Sequence, residues 1–253
     1  MQNLINLKNK IILVTGASSG IGRETAILLS NLGANLILTG RNRAQLDSTL
    51  EKLEGTDHYG EIFDFNDCSN INTFIKNILN RTGKLDGLVH CAGIQISEPL
   101  RFIEEKSIDL TFQTNIKSTI LFIQATRKHQ ALNNPSSIVL ISSITGLMGE
   151  PGMSVYAASK AAIIAVTKSL ASELARDGIR INCIAPAIVK TEMTKKMFSA
   201  MGKEQLKTLE NRHLLGFGET IDIANINAFL LSDASRWTTG SCFVIDGGYS
   251  LSR

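Results

Sequence analysis

Tyr156 and Lys160 stand four residues apart within Val155–Arg176, a long alanine-rich stretch, so on a helix they share one face. A tyrosine hydroxyl has a pKa near 10 and is a poor base at neutral pH. An ammonium beside it stabilises phenolate and lowers that pKa, which suits the pair to proton transfer at an alcohol or a carbonyl. Two further polar residues sit where they can assist. Ser143 follows the strand-like run Ser137–Ser142 and can hydrogen-bond a carbonyl oxygen. Asn115 lies in the helical stretch between Ile103 and Gln130, where a polar side chain can kink the helix and hold a water. Tyrosine and lysine at this spacing are common on helices, and Ser143 and Asn115 taken alone read equally as a cap or a turn. The weight comes from position, after a fifth strand and a loop carrying Gly146, Gly149 and Gly152.

The elements that must hold these residues alternate along the chain. Short β-branched runs recur at Lys10–Thr15, Asn35–Thr39, Leu85–Cys91, Ser137–Ser142, Arg180–Ala185 and Cys242–Asp246, with a weaker one at His58–Phe63. Between them, Ile21–Leu32 and Asn70–Arg81 carry apolar residues on one helical stripe. The runs are apolar throughout rather than alternating, as expected of strands buried on both faces. This pattern predicts a single-domain, doubly wound α/β Rossmann fold over residues 1–253, with a parallel seven-stranded sheet and helices on both faces. Lys190–Gly218 breaks the rhythm with a broken helical pattern. It reads as a mobile lid over the carboxyl edge of the sheet, where ligands bind in such folds.

The first turn suits phosphate. Strand Ile11–Val14 runs into Thr15-Gly16-Ala17-Ser18-Ser19-Gly20-Ile21-Gly22, and a helix follows. Gly16 permits a tight turn, Gly20 lets a pyrophosphate approach the backbone, and Gly22 lets helix and strand pack closely. The helix N-terminus offers free N–H groups and a positive dipole end to phosphates. The candidate dinucleotide contacts here are Gly16, Ser18, Ser19, Gly20, Ile21 and Gly22. The second strand ends in Gly40-Arg41-Asn42-Arg43, with arginines where NAD-binding sheets place a carboxylate for the ribose hydroxyl. A guanidinium fork suits a 2′-phosphate, so the expected cofactor is NADP(H) in preference to NAD(H), with Arg41 the leading contact. Asp64, after the third strand, can accept from the adenine amino group or cap its own loop. Ala92-Gly93 ends the fourth strand in small residues, as close approach of a cofactor requires.

Composition excludes several classes. Of 253 residues, 43% are hydrophobic and 19% charged, which is the balance of a packed domain and not of a disordered chain. Twenty-six basic against 23 acidic residues give a net charge of +3 with no long basic run, so nucleic acid is not an expected partner. No stretch approaches the roughly 18 apolar residues of a membrane span. The polar start Met1–Lys10 is unlike a signal peptide, and a cytoplasmic location is expected. Cys68, Cys91, Cys183 and Cys242 are far apart in sequence, and His58, His90, His129 and His213 are isolated, so neither a disulfide nor a metal is expected.

The motifs Thr15–Gly22, Asp64, Ala92-Gly93, Asn115, Ser143, Tyr156/Lys160, Asn182-Cys183-Ile184-Ala185-Pro186 and Asp246-Gly247-Gly248 arrive in one order. In that order the chain resembles the short-chain dehydrogenases/reductases, in their single-domain subgroup of roughly 250 residues, from about Leu7 to Leu251. The resemblance implies Tyr156 as general acid in carbonyl reduction and Lys160 as the residue that binds the nicotinamide ribose and lowers the tyrosine pKa. It implies Ser143 on the substrate oxygen and Asn115 holding a water in a proton relay. It adds Pro186, Ile188 and Thr191 as cofactor contacts, and a homotetramer as the assembly. Two departures stand out: His90-Cys91 where the family has two asparagines, and Ala187 where it has glycine. The expected substrate is a small carbonyl or alcohol. The alternatives are a carrier-bound 3-oxoacyl chain, to which Lys195 and Lys196 of the lid could answer, or a non-catalytic dinucleotide-binding regulator. Asp177, where carrier-dependent relatives often carry a basic residue, counts against the carrier.

Overall fold

The structure is a computed structural model that describes residues 5–252, and for Lys196 the backbone alone. Residues 1–4 and 253 of the expected domain, and the Lys196 side chain, lie outside the described residues. In chain order the elements are β1 (Ile11–Thr15), α1 (Gly20–Asn31), β2 (Asn35–Gly40), α2 (Arg43–Leu50), β3 (Tyr59–Ile62) and α3 (Ile71–Thr82). There follow β4 (Leu85–His90), α4 (Glu105–Phe112), α5 (Ser118–Lys128), β5 (Leu132–Ile141) and α6 (Ser154–Leu174). The chain closes with β6 (Ile179–Pro186), α7 (Glu192–Ser199), α8 (Lys203–Asn211), α9 (Thr220–Leu231) and β7 (Cys242–Ile245).

All seven strands pair in parallel, in the order β3-β2-β1-β4-β5-β6-β7. The direction of winding reverses between β1 and β4, so the loops after these two strands diverge and leave a crevice at their carboxyl ends. The strands explain their own composition. Leu13, Ile37, Leu88, Ile138 and Ile181 face a layer holding α3, α5 and α6. Their neighbours Ile12, Leu36, Val89, Val139 and Ile184 face a layer holding α1, α2 and α9. With both parities buried, an alternating pattern was never open to these strands.

Three elements differ from expectation. The strand expected at Ser137–Ser142 begins five residues earlier, at Leu132. Asn133-Asn134-Pro135 has turn composition, yet Leu132 pairs with Leu85, and Asn133 Nδ2 donates to Asp86 Oδ1 at 2.9 Å. The helical stretch around Asn115 is two α-helices joined by a π-turn, Gln113–Lys117. The lid holds two regular helices, α7 and α8.

Candidate active site

The loops after β1, β2, β4, β5 and β6 meet over the crevice. In the first, Gly16 has φ +66°, and a Cβ there would lie 3.0 Å from the backbone of Cys91 and Ala92. A Cβ on Gly22 would stand 2.4 Å from Gly16 O, so helix and strand meet backbone to backbone. A Cβ on Gly40 would fall on Ser18 Oγ, which places Ser18 against the end of β2, next to exposed Arg41. Ser19 is the N-cap of α1 and makes no side-chain capping bond. The first free amide of the helix is instead answered by the lid: Gly20 N donates to Glu192 Oε2 at 3.1 Å, and Arg23 pairs with Glu192 Oε1 at 3.3 Å. A carboxylate therefore already rests where a helix N-terminus favours an anion. Thr191, the N-cap of α7, packs against Gly20; its Cγ2 would be 3.2 Å from a Cβ there. The residues present thus fit a dinucleotide: a cradle without room for side chains, and an amide that takes an anion.

Further along the crevice, Asp64 is exposed and accepts from Asn66 N at 2.9 Å, so it caps its own loop while one oxygen stays free of that bond. Thr15 Oγ1 accepts from Ala92 N at 3.1 Å and bonds His90 Nδ1 at 2.9 Å. One proton is shared between Thr15 Oγ1 and His90 Nδ1, and the other ring nitrogen is Nε2. That nitrogen is buried against Phe65 and Phe122, with no hydrogen-bond partner among the described residues. Burial, with the Lys160 charge adding to it, pushes the His90 pKa down to about 3. The departure at position 90 is thus a neutral core imidazole that locks β1 to β4.

The four expected catalytic residues converge. Lys160 is buried, and its Nζ donates to Ile141 O at 2.9 Å and lies 5.6 Å from the centroid of the Tyr156 ring. A Cβ on Gly93 would lie 3.5 Å from that Nζ and 3.1 Å from Asn115 Oδ1, so the glycine keeps the lysine's surroundings open. Asn115 Oδ1 accepts from Ile94 N at 2.9 Å, and its Nδ2 donates to Ile94 O at 2.9 Å and Ser159 Oγ at 3.0 Å. Its side chain is spent on fastening the loop after β4 to α6, within the π-turn. Ser143 caps the short turn Ile144–Gly146, with Thr145 Oγ1 donating to its Oγ at 3.0 Å, and it lies near enough to the Tyr156 hydroxyl to lower that group's pKa.

The sequence reading expects the Lys160 ammonium to lower the Tyr156 pKa. In the structure, burial dominates and pushes that pKa up to about 12, with the Ser143 hydroxyl pulling the other way. Desolvation acts on Lys160 too and brings it down to about 8, so its proton is weakly held in a dry site. Pro186, Ile188 and Thr191 line the start of the lid. Pro186 pairs with Ile245, and Ile188 O accepts from Gly218 N at 3.0 Å. Sequence reasoning missed Arg23, Glu192, Glu150 and Tyr249. Glu192 had one available signal, its place directly after the called Thr191.

A doubly wound sheet whose switch-point crevice gathers a glycine cradle and a Ser–Tyr–Lys cluster defines a nicotinamide-dependent oxidoreductase class. The family model described as enoyl-(acyl carrier protein) reductase matches residues 16–250. The 3-oxoacyl-[acyl-carrier-protein] reductase of Thermotoga maritima is 34% identical over 96% of this chain and 99% of its own. The (2S)-[(R)-hydroxy(phenyl)methyl]succinyl-CoA dehydrogenase subunit of Thauera aromatica is 31% identical, covering 98% and 99%. A solved structure described as a short-chain alcohol dehydrogenase, from Sinorhizobium meliloti 1021, superposes with a TM-score of 0.92 at 32% identity, covering 99% of this chain and 100% of that one. The chain belongs to the short-chain dehydrogenases/reductases.

Proposed function

We propose that this chain interconverts a ketone and an alcohol with NADP(H), and that its substrate is a 3-oxoacyl thioester or a ketone of similar shape. The observation that carries the reading is the convergence of Ser143, Tyr156 and Lys160 beside the dinucleotide cradle. The cofactor, when bound, supplies or accepts the hydride. Ser143 orients the carbonyl oxygen, and Tyr156 gives that oxygen its proton as charge develops on it. The pKa of about 12 keeps Tyr156 protonated at neutral pH, as a general acid must be. Lys160, which with a pKa of about 8 keeps most of its charge at neutral pH, sits where it holds the nicotinamide ribose and steadies phenolate. Gly16, Ser18, Ser19, Gly20, Ile21, Gly22, Arg41, Asp64, Ala92, Gly93, Pro186, Ile188 and Thr191 complete the cofactor site in this reading. Asn115 positions the loop after β4, and any relay water would meet its backbone rather than its occupied amide.

Two relatives act, by their names, on thioesters, one carried by acyl carrier protein and the other by coenzyme A. That shared chemistry favours the thioester. Asp177 does not oppose it, because Arg127 pairs with it at 2.9 Å and offsets its charge. A cytoplasmic homo-oligomer belongs to the same reading. Leu110, Phe112 and Ile120 are exposed together along α4 and α5, apolar surface of the kind a second copy covers.

Tyr156→Phe is expected to lose about a hundredfold or more in kcat for ketone reduction while still binding NADPH, because the ring remains and the proton is gone. Stopped-flow hydride transfer with cofactor binding read separately by fluorescence checks this, and near-normal turnover would overturn the assignment. Arg41→Ala is expected to cost about tenfold in kcat/KM for NADPH, in keeping with roughly 1.5–3 kcal/mol for a charge-assisted bond, with little change for NADH. Equal losses for both cofactors would remove Arg41 as the selector.

A further inference from the structure

The loop between Ser143 and α6 has one regular turn, Ile144–Gly146, and then Gly149 and Gly152. Something other than helix or strand must hold it. On one side, Gly152 O accepts from Glu98 N at 2.8 Å and Ser97 Oγ at 3.3 Å. On the other side Glu150 reaches out and meets two donors on a single oxygen. Arg212 Nη2 donates to Glu150 Oε1 at 2.9 Å, and the Tyr249 hydroxyl donates to the same atom.

These donors come from two distant segments. Arg212 follows α8 at the root of the lid, and Tyr249 lies in the turn after β7. The two are themselves joined: Arg212 stacks over the Tyr249 ring at 4.4 Å, Ser252 Oγ donates to Arg212 O at 2.6 Å, and Leu215 N donates to Gly247 O at 3.0 Å. From there aromatic contacts run into the lid. His213 lies 4.5 Å from Tyr249 and 5.0 Å from Phe217, and Phe217 stacks on Phe198 of α7 at 4.9 Å. An unbroken set of contacts thus joins the loop that carries Ser143 to the helix that carries Glu192. Burial and the bond to Glu150 both raise the Tyr249 pKa, so its hydroxyl stays a donor across the physiological range.

We propose that Glu150 is a positioning residue of the carbonyl site, clamping the Ser143 loop to the lid root through Arg212 and Tyr249, so that the two walls facing the substrate move as one. The proposal rests on the reading of this site as a carbonyl reductase. It assigns to Glu150 an effect on KM, because the clamp acts before chemistry and touches neither the reacting atoms nor the dinucleotide turn.

The test compares Glu150→Ala, Glu150→Gln and Tyr249→Phe with the parent chain. Hydrogen exchange of residues 192–211 is read by mass spectrometry, and KM, kcat and NADPH affinity are read for a 3-oxoacyl thioester. Glu150→Ala is expected to speed exchange in the lid selectively and raise KM about tenfold, with kcat and NADPH affinity within about twofold. Glu150→Gln keeps an accepting oxygen and should restore much of both, and Tyr249→Phe should match part of the alanine effect. Unchanged lid exchange in Glu150→Ala overturns the proposal, as does faster exchange spread evenly over the sheet, which would mark a merely structural residue. Exchange needs no substrate. If the parent chain reduces no ketone, the carbonyl-reductase reading fails while the lid signal still decides the clamp.

Discussion

The dinucleotide turn and the lid face each other across the crevice, and they are held by opposite means. The turn is held by backbone: Gly16 and Gly22 let main-chain atoms approach where a Cβ would collide, and Gly20 takes a positive φ of +53°. The lid is held by side chains at a few points. Lys190 pairs with Glu219 at 2.6 Å beside the bridge between Val189 and Gly218, Glu192 reaches Gly20, and Arg212 reaches Glu150. Backbone fit is all or nothing, because a Cβ cannot be accommodated by rotating a bond. Side-chain tethers that are partly exposed are each weak and separately removable. A binding cradle built the first way is preorganised, and a cover built the second way can open.

The largest effect should come from breaking the turn. Gly22→Ala places a Cβ 2.4 Å from Gly16 O, and overpacking of this kind costs about 1–3 kcal/mol. NADPH affinity should fall about a hundredfold, or the melting temperature should drop by several degrees; calorimetry with and without cofactor reads both. The matched lid change, Gly202→Ala, meets nothing closer than Gln205 Oε1 at 3.8 Å and should leave both quantities alone. Equal sensitivity at the two glycines would break the contrast.

A smaller effect should come from Glu192, which tethers the lid to the turn. Glu192→Gln keeps an acceptor for Gly20 N but removes a negative charge from a place suited to pyrophosphate. NADPH should bind about threefold tighter at low salt, with the gain fading as exposed charges are screened. Titration by fluorescence at two ionic strengths measures it. Weaker binding would show that Glu192 supports the cradle rather than competing for it.

This contrast also explains what the sequence made legible. Glycine cradles and doubly buried strands leave their mark on consecutive residues, so the turn and the sheet were readable. Helix α9 was not singled out, because Thr220–Leu231 is apolar nearly all round and presents no stripe. Both α1 and the sheet bury it. The start of β5 was hidden by Asn-Asn-Pro, whose turn composition gave way to pairing with Leu85. The Glu150–Arg212–Tyr249 cluster was out of reach, since its members lie 62 and 99 positions from one another's partner in the chain. Tyr156 shows a different limit: its neighbour Lys160 was legible, and the burial that outweighs it was not.

The imidazole that locks β1 to β4 makes the switch point of the sheet sensitive to acid. Unfolded, His90 takes up a proton near pH 6.5; folded, it resists protonation until about pH 3. Between these values the unfolded chain binds the extra proton, so stability falls as pH drops, by up to about 1.4 kcal/mol per unit, and levels off below the folded pKa. Above pH 6.5 neither state is charged at this site and nothing is lost. Replacing His90 with Asn, which never titrates, should flatten that part of a denaturation curve measured from pH 7 to pH 4. The paired seam from whose ends two loops diverge is therefore also where a falling pH would begin to take the protein apart.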